Sequence, residues 1–204
     1  MVDNTKFHVA AWKKFAKKLG TRVTYEIVRN KFLGRLGREI VREVLKVKIS
    51  DNQLEKFERE REAYFRKIFA QHIKPVKGLP EFLGDLKNNK IKVALATSAP
   101  PENVKFILAK TRLKKYFPVT IDATGVKRGK PNPDIFLKAA KKLNARPKDC
   151  VVFEDAFHGI EAAQRAGMKV VAVATTHHPK SIAHADLVIK DFDQINIYKL
   201  LQFI

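Results

Sequence analysis

The sequence is poor in cysteine, in acidic residues and in long apolar runs. Its single cysteine, Cys150, excludes an intrachain disulfide, and its position within an apolar segment predicts a small core side chain. No apolar run approaches the roughly 20 residues that a membrane-spanning helix needs. The polar N-terminus lacks the pattern of a signal peptide. We therefore expect a cytoplasmic protein without a membrane partner.

Acidic residues are about half as numerous as basic ones. The 204 residues include 41 Lys and Arg but 21 Asp and Glu, and the resulting net charge of +20 attracts anions. The basic residues are dispersed, mostly on predicted helix faces, without zinc-finger spacing, an aromatic RNA-binding motif or a basic tail. The expected partner is therefore a phosphorylated small molecule, and no specific nucleic acid, although the charge by itself would favour one.

Apolar spacing predicts that the first third of the chain is helical. Side chains recur at helical intervals up to Gly20, at Phe7, Ala10, Ala11, Phe15 and Leu19. Further helices are expected at 25–32, 38–45 and 51–72. Residues 1–74 are therefore interpreted as a helical module.

After Pro75, short apolar runs alternate with helical patterns. The runs predict strands at 91–96, 118–123, 149–153, 169–174 and 186–189. The segments between them predict helices at 101–111, 133–143 and 159–166. Such alternation builds a mostly parallel sheet with helices on both faces. The predicted fold class is α/β, with a three-layer α/β/α, Rossmann-like core over residues 75–204.

Two adjacent acids, Glu154 and Asp155, follow the apolar run 150–153 and precede a helix of small residues. Ligands of open α/β sheets bind just beyond the carboxyl ends of the strands. Burying two carboxylates there costs free energy unless a cation pairs with them. Carboxylate oxygens are hard ligands of the kind that Mg²⁺ prefers. The alternative is that Asp155 only caps the following helix. A metal site and a helix cap both remain open from this pattern.

Two more segments that follow predicted strands carry groups suited to phosphate. Thr97 and Ser98 could hold phosphate oxygens with their hydroxyls and backbone N–H groups, or could form an ordinary turn. Lys130 lies in the loop Gly-Lys-Pro-Asn-Pro-Asp, whose stiffness suits a phosphate clamp, although it could also be a solvated lysine. Because all of these segments end strands of one sheet, we expect them to meet at one edge.

The order of these segments resembles the haloacid dehalogenase superfamily. Thr97-Ser98, then Lys130, then Glu154-Asp155 before a Gly-Ile-Glu-Ala-Ala helix is similar to the branch of β-phosphoglucomutase and small sugar-phosphate phosphatases. The resemblance covers essentially the whole chain. It implies that Thr97, with Ser98, binds the transferring phosphate and that Lys130 neutralises it. It also implies that Asp155, with Glu154, holds Mg²⁺.

The same resemblance implies a domain division and a mechanism. Residues 1–74 would be a small helical cap domain, with a remnant of the core at 1–4, and residues 75–204 would be the core domain. In that family a Mg²⁺-bound aspartate attacks phosphorus and forms an aspartyl-phosphate. A second aspartate, two residues later, acts as general acid and base.

The family's nucleophile motif, Asp-x-Asp-Gly after the first strand, does not occur in this sequence. Residues 1–8 resemble the piece that follows that motif, and the only Asp-x-Asp, at 191–193, lies after the last predicted strand. We therefore expect the first strand and its two aspartates to be missing, which would leave two unpaired strand edges and a gap in the core. A fragment or misassigned start, a degenerate relative, or completion by another segment or a second copy would each explain this.

Three residues of the predicted cap are candidates for substrate binding. Arg38, followed by an acid, resembles the arginine that holds the far phosphate in β-phosphoglucomutase, and Arg35 could serve instead because the spacing differs by one. His8 would face the substrate from the hinge, where an imidazole could assist proton transfer. Each of the three could instead be an ordinary surface side chain.

The prediction is a Mg²⁺-dependent phosphohydrolase of a small phosphorylated metabolite, complete only with the nucleophile segment. A phosphosugar mutase is the alternative reaction, although a mutase must also exclude water and hold two phosphate positions. A phospholigand-binding relative without catalysis is the alternative of another class. We expect a monomer, or a dimer if a second copy completes the sheet.

Overall fold

The computed structural model describes residues 1–203, in which helices dominate the first third and strands alternate with helices afterwards. The helices are α1 (Thr5–Ala16), α2 (Tyr25–Ile27), α3 (Gly37–Glu39), α4 (Asp51–Phe69), α5 (Leu79–Asn88), α6 (Pro101–Thr111), α7 (Asp134–Leu143), α8 (Phe157–Arg165) and α9 (Ile197–Phe203). The strands are β1 (Ala94–Ala96), β2 (Val119–Ile121), β3 (Val151–Glu154), β4 (Lys169–Val173) and β5 (Leu187–Ile189). Within residues 1–203, no helix combines the length and the apolarity needed to cross a bilayer.

The helical part packs α1 against the long helix α4 around an aromatic core. Helix α4 begins with a capping box, in which the Ser50 hydroxyl accepts from the Gln53 amide while the Gln53 side chain accepts from Ser50. Helices α2 and α3 each continue as a π-helical turn, Val28–Phe32 and Ile40–Val44. Trp12 lies at the centre of this core, with its ring edge on Phe32 at 4.9 Å between centroids.

The strands form two parallel sheets. Strand β1 pairs with β2, with Ala94 opposite Val119 and Ala96 opposite Ile121. Strand β4 pairs with β3 on one side and with β5 on the other. All pairings are parallel, as the alternation of strands and helices predicted.

Helices cover both faces of the strands, so the predicted three-layer α/β/α architecture is confirmed. Val170 and Ala172 of β4 face the core formed with α7 and α8. Val171 and Val173 face the opposite core, formed with α5, α6 and α9. Cys150 is half-buried at the edge of the first core, so the expectation of a core cysteine holds only in part.

A gap separates the two sheets. Within residues 1–203, β1 and β3 belong to separate sheets, and the edges that they turn toward each other have no strand between them. An apolar cavity of about 380 Å³ lies there, lined by residues of both strands, such as Leu95 and Phe153, and by α5 and α7. The two unpaired edges expected from the sequence are thus present.

The chain crosses between its helical and α/β parts at two adjacent points. Val2 forms an antiparallel bridge with Pro75, and the Val76 amide donates to the carbonyl of Met1 at 2.9 Å. The two crossing segments therefore run side by side.

Candidate active site at the carboxyl ends of the strands

A polar cavity of about 260 Å³ lies between the helical part and the carboxyl ends of β1 and β3. It brings together most of the residues that the sequence singled out. Those that line it are His8, Arg35, Thr97, Ser98, Lys130, Glu154 and Asp155. Arg38 is the one predicted site residue that does not line this cavity.

Lys130 and Glu154 form a buried ion pair. The ammonium of Lys130 donates to Glu154 Oε1, and the two side chains are only 4% and 10% exposed. The other carboxylate oxygen, Oε2, accepts from the backbone N–H of Asp155 at 3.2 Å. Lys130 is therefore not a solvated loop lysine, because its charge is buried and directed at the strand end that carries the two acids.

Asp155 is held by hydroxyls and does not cap a helix. Its Oδ2 accepts hydrogen bonds from Thr176 and, at 3.4 Å, from Thr175, which both follow β4. Thr176 in turn shares a hydrogen bond of 3.0 Å with the Thr5 hydroxyl at the start of α1. Helix α8 has Ala156 as its N-cap and no side-chain cap, so the helix-cap interpretation of Asp155 is wrong.

The turn after β1 carries both hydroxyls expected there. Thr97 Oγ1 accepts from the Ala99 amide at 3.2 Å, an interaction typical of an ordinary turn. The Ser98 hydroxyl donates to the Gly34 carbonyl at 2.6 Å and so connects this turn to the helical part. Both side chains are therefore engaged within the protein while lining the cavity.

His8 lies on the wall of the cavity, stacked on Phe65 with 4.0 Å between ring centroids. Burial lowers the pKa of His8 to about 4, and the neighbouring Glu62 only partly offsets this effect. The imidazole is therefore neutral at physiological pH.

Folding consequently favours the neutral form of His8, whose unfolded pKa is about 6.5. This preference adds its full amount to the free energy of unfolding above pH 6.5. That contribution is lost as the pH falls toward about 4. Between those limits we expect the stability of the wild-type protein to fall more steeply than that of His8→Gln, measured by urea unfolding. His177, whose pKa is also lowered to about 4, is common to both proteins. Equal pH slopes would contradict the buried, neutral state of His8.

The two candidate arginines of the α3 region point in different directions. Arg38 donates to the backbone carbonyls of Val126 and Lys127, at 3.0 and 2.8 Å. Arg35 lines the cavity and is paired with Glu43 at 2.7 Å. The guanidinium of Arg38 is thus hydrogen-bonded to the α/β part of the protein. The guanidinium of Arg35 borders the cavity instead.

Sequence reasoning missed a buried polar cluster on α4. Arg61 and Glu62 line the cavity, Arg61 Nη2 donates to Glu62 Oε1 at 2.6 Å, and Asn103 donates to Glu62 Oε2 at 2.6 Å. A signal was available, because Arg61 continues the buried spacing of Leu54, Phe57 and Phe65 along α4. Thr176 was also missed, although it follows a strand end as Thr97 does.

Comparison with known proteins identifies the family. Residues 1–173 match the family described as haloacid dehalogenase-like hydrolase. The chain is 32% identical over 206 residues to a phosphorylated carbohydrates phosphatase of Thermotoga maritima, covering 98% of this chain and 94% of that protein. It is 30% identical to the β-phosphoglucomutase of Bacillus subtilis, covering 97% and 88% of the two chains.

Solved structures agree with this result. A hydrolase of the haloacid dehalogenase group from Entamoeba histolytica superposes with a TM-score of 0.87 at 29% identity, covering 100% of this chain and 94% of that one. A β-phosphoglucomutase from Clostridium difficile also gives a TM-score of 0.87, at 26% identity, covering 100% and 92%. The chain therefore belongs to the family of haloacid dehalogenase-like hydrolases.

Proposed function

We propose that this protein is a Mg²⁺-dependent phosphohydrolase of a small phosphorylated metabolite that reacts through an aspartyl-phosphate. The observation that carries this function is the buried Lys130 ammonium beside Glu154 and Asp155, in a cavity also lined by Thr97. A fixed cation and hydroxyl donors suit a phosphate, and adjacent carboxylates suit a metal ion. The related phosphatase and mutase support the same class of substrate.

Each cavity residue has a role in this proposal. The Thr97 hydroxyl and the Ser98 N–H bind the oxygens of the transferring phosphate, since the N–H groups of Thr97 and Ala99 already donate to Ile121 and to Thr97 Oγ1. Lys130 neutralises the charge that develops on those oxygens, and Glu154 keeps its ammonium in place. His8, being neutral, can accept or donate a single hydrogen bond to the substrate without adding charge. Residues 1–74 act as the cap domain over the core domain at 75–204.

The carboxylates fit Mg²⁺, which takes oxygen ligands and is commonly held by one or two carboxylates together with water and substrate phosphate. Asp155, positioned by Thr176 and Thr175, would hold the ion with help from Glu154. Within residues 1–203, no group of three or more Asp, Glu, His or Cys side chains is arranged for metal binding. When bound, the ion would shield the phosphate from the attacking carboxylate.

None of the described residues is assigned as the nucleophile. Three carboxylates of residues 1–203 line the cavity, and Glu62, Glu154 and Asp155 all hold other partners. Asp3 is exposed and lies outside the cavity lining. The same observation favours a second candidate function, phospholigand binding without turnover by the 204-residue chain.

The test is calorimetric binding of orthophosphate to the full chain with and without Mg²⁺, alongside hydrolysis of an aryl phosphate. We expect binding that requires Mg²⁺ and that weakens about tenfold or more in Asp155→Asn, the range seen when a metal ligand's environment is removed. The control Asp149→Asn removes an exposed acid paired with Arg146 and should bind as the wild type does. Turnover would favour the hydrolase and binding alone the second candidate. Mg²⁺-independent binding without turnover would contradict the Mg²⁺-dependent hydrolase, and the absence of any binding would contradict both candidates.

A further inference from the structure

The segments that lead into the first three strands carry a dense group of basic side chains. These segments are residues 87–92 before β1, 110–117 before β2 and 141–149 before β3. Together they contain 11 Lys and Arg residues but one acid, Asp149. All 11 basic residues are exposed. We call the three segments the amino-end surface, because they lie at the amino ends of the strands.

The fold brings these segments together on one side of the molecule. Lys92 Nζ donates to the backbone carbonyl of Leu143 at 2.9 Å, which joins the first segment to the third. Lys92, Phe117 and Asp149, one residue from each segment, line the apolar cavity between the two sheets. The polar cavity lies at the opposite, carboxyl ends of β1 and β3. Basic residues that are dispersed along the sequence therefore form one surface, away from the candidate active site.

The excess positive charge of the α/β part is confined to the amino-end surface. Outside the three segments, residues 75–204 contain 11 basic and 11 acidic side chains, so the remainder of this part is neutral. Within the surface, Arg146 is paired with Asp149. The other ten basic side chains have no carboxylate partner within residues 1–203. Such a concentration of unpaired like charge favours a partner that carries many negative charges.

Compensation of the helix dipoles accounts for only part of this charge. Four of the lysines, among them Lys87 and Lys110, lie in the last turns of α5, α6 and α7, where a cation is stabilising. The other seven basic residues lie beyond those helix ends. Two of them, Lys90 and Arg112, have a φ of 57°, a left-handed conformation that Gly and Asn adopt more easily. Helix capping by itself would therefore favour other residues at these two positions.

The amino-end surface lacks the side chains that would enter a bilayer or stack on bases. The large apolar side chains that are exposed within residues 1–203 are Tyr25, Leu137, Tyr198 and Leu201, and none belongs to the three segments. Interfacial membrane binding buries apolar side chains, and single-stranded nucleic acid is held on exposed aromatic rings. A duplex needs neither, because its regular array of phosphates can be contacted by Lys and Arg alone.

We infer that the amino-end surface binds the phosphate backbone of double-stranded nucleic acid without reading its sequence. Contacts to phosphates alone agree with the absence of a base-reading motif in the sequence. Because the surface lies opposite the polar cavity, a duplex bound there leaves that cavity open, and the inference does not depend on the proposed function.

Fluorescence anisotropy of the full chain with a labelled DNA duplex of about 24 base pairs, roughly two helical turns, tests the inference. Duplex ends without phosphates and a buffer with EDTA keep the polar cavity from contributing. We expect binding that weakens at least about tenfold when NaCl rises from about 50 to about 150 mM, because each neutralised phosphate contributes about −0.9 to the slope of log affinity against log salt. A second duplex of unrelated sequence should bind within about twofold of the first. No binding at the lower salt concentration, or strong preference for one sequence, would overturn the inference.

A triple variant tests whether the amino-end surface makes the contact. Lys87→Gln/Lys114→Gln/Lys148→Gln removes one exposed charge from each segment. Its affinity for the duplex should fall at least about tenfold at the lower salt concentration, and its salt slope should become shallower by about two or more. Circular dichroism checks that the variant is folded.

The control removes the same charge from the helical part. Residues 1–74 carry the same excess of ten positive charges as residues 75–204, and Lys13→Gln/Lys17→Gln/Lys48→Gln neutralises three exposed lysines there. We expect duplex affinity to change by no more than about twofold, because salt screens charges that lie beyond a Debye length of about 10 Å. An equal loss of affinity in the two triple variants would show that net charge alone attracts the duplex.

Vesicles of phosphatidylserine and phosphatidylcholine distinguish a membrane from a duplex as the partner. In flotation at the lower salt concentration, we expect excess duplex to displace any vesicle-bound protein. Protein that stays on the vesicles in the presence of excess duplex would identify the membrane as the partner and overturn the inference.

Discussion

Replacing Lys130 with methionine is expected to lower the free energy of unfolding by about 3–5 kcal/mol, because it leaves a buried carboxylate without its cation. The side chain of Glu154 is 10% exposed, and its Oε1 has the Lys130 ammonium as its partner. Methionine fills a similar volume, so packing against the Phe136 ring, which now lies 4.7 Å from the ammonium, is largely retained. Urea unfolding at neutral pH measures the effect.

The double variant Lys130→Met/Glu154→Gln separates the charge from the packing. Because it removes both charges, it should recover most of the stability lost in the single variant. Lys141→Met, on the exposed face of α7, is the matched control and should change stability by no more than about 0.5 kcal/mol. A single Lys130→Met variant as stable as that control would show that the ion pair does not hold Glu154.

Gly159→Ala is expected to weaken Mg²⁺-dependent orthophosphate binding about tenfold or more, an effect typical of disturbing a metal ligand's support. Glu154 packs its carboxylate directly over Gly159, where a Cβ would lie 2.2 Å from Cδ and 2.3 Å from Oε2. Glu154 cannot simply turn aside, because its two oxygens are bound to Lys130 and to the Asp155 amide. The added methyl group must therefore disrupt the acid pair, which calorimetry on the folded variant would detect.

Gly84→Ala is the control for the glycine substitution. Gly84 also lies in a helix, α5, but a Cβ there would meet nothing closer than the Tyr116 hydroxyl at 3.9 Å. Alanine should therefore leave phosphate binding unchanged and should raise stability by up to about 1 kcal/mol through its higher helix propensity. If Gly159→Ala bound phosphate as well as Gly84→Ala does, Glu154 would have no part in the site.

Local patterns were sufficient to predict most elements of the fold. Every predicted strand is present, since short apolar runs between turn signals are typical of buried parallel strands. The first is shorter than expected, Ala94–Ala96 instead of 91–96, because one of its edges has no partner strand. Helices α5 and α9 were not predicted. The buried spacing of Leu79, Phe82, Leu83 and Leu86 was a usable signal for α5.

The site was only partly predictable, for a physical reason. Thr97, Lys130 and Asp155 could be placed near one another because the ends of parallel strands share one edge. The direction of Arg38 could not be predicted, since it depends on two backbone carbonyls about 90 positions away in the chain. The hydrogen bond that Asn103 donates to Glu62 likewise depends on how α4 meets α6.

The gap between the two sheets also has a consequence for how the molecule unfolds. Within residues 1–203, no backbone ladder joins β1 to β3, so the pair β1–β2 and the trio β3–β4–β5 can melt without breaking hydrogen bonds to each other. Their coupling depends instead on shared apolar side chains and on the Lys130–Glu154 contact across the strand ends. In a continuous sheet, backbone hydrogen bonds make the strands unfold together. Here side-chain contacts between the two sheets must couple their unfolding. The Lys130–Glu154 ion pair therefore contributes to the coupling between the two sheets as well as to stability.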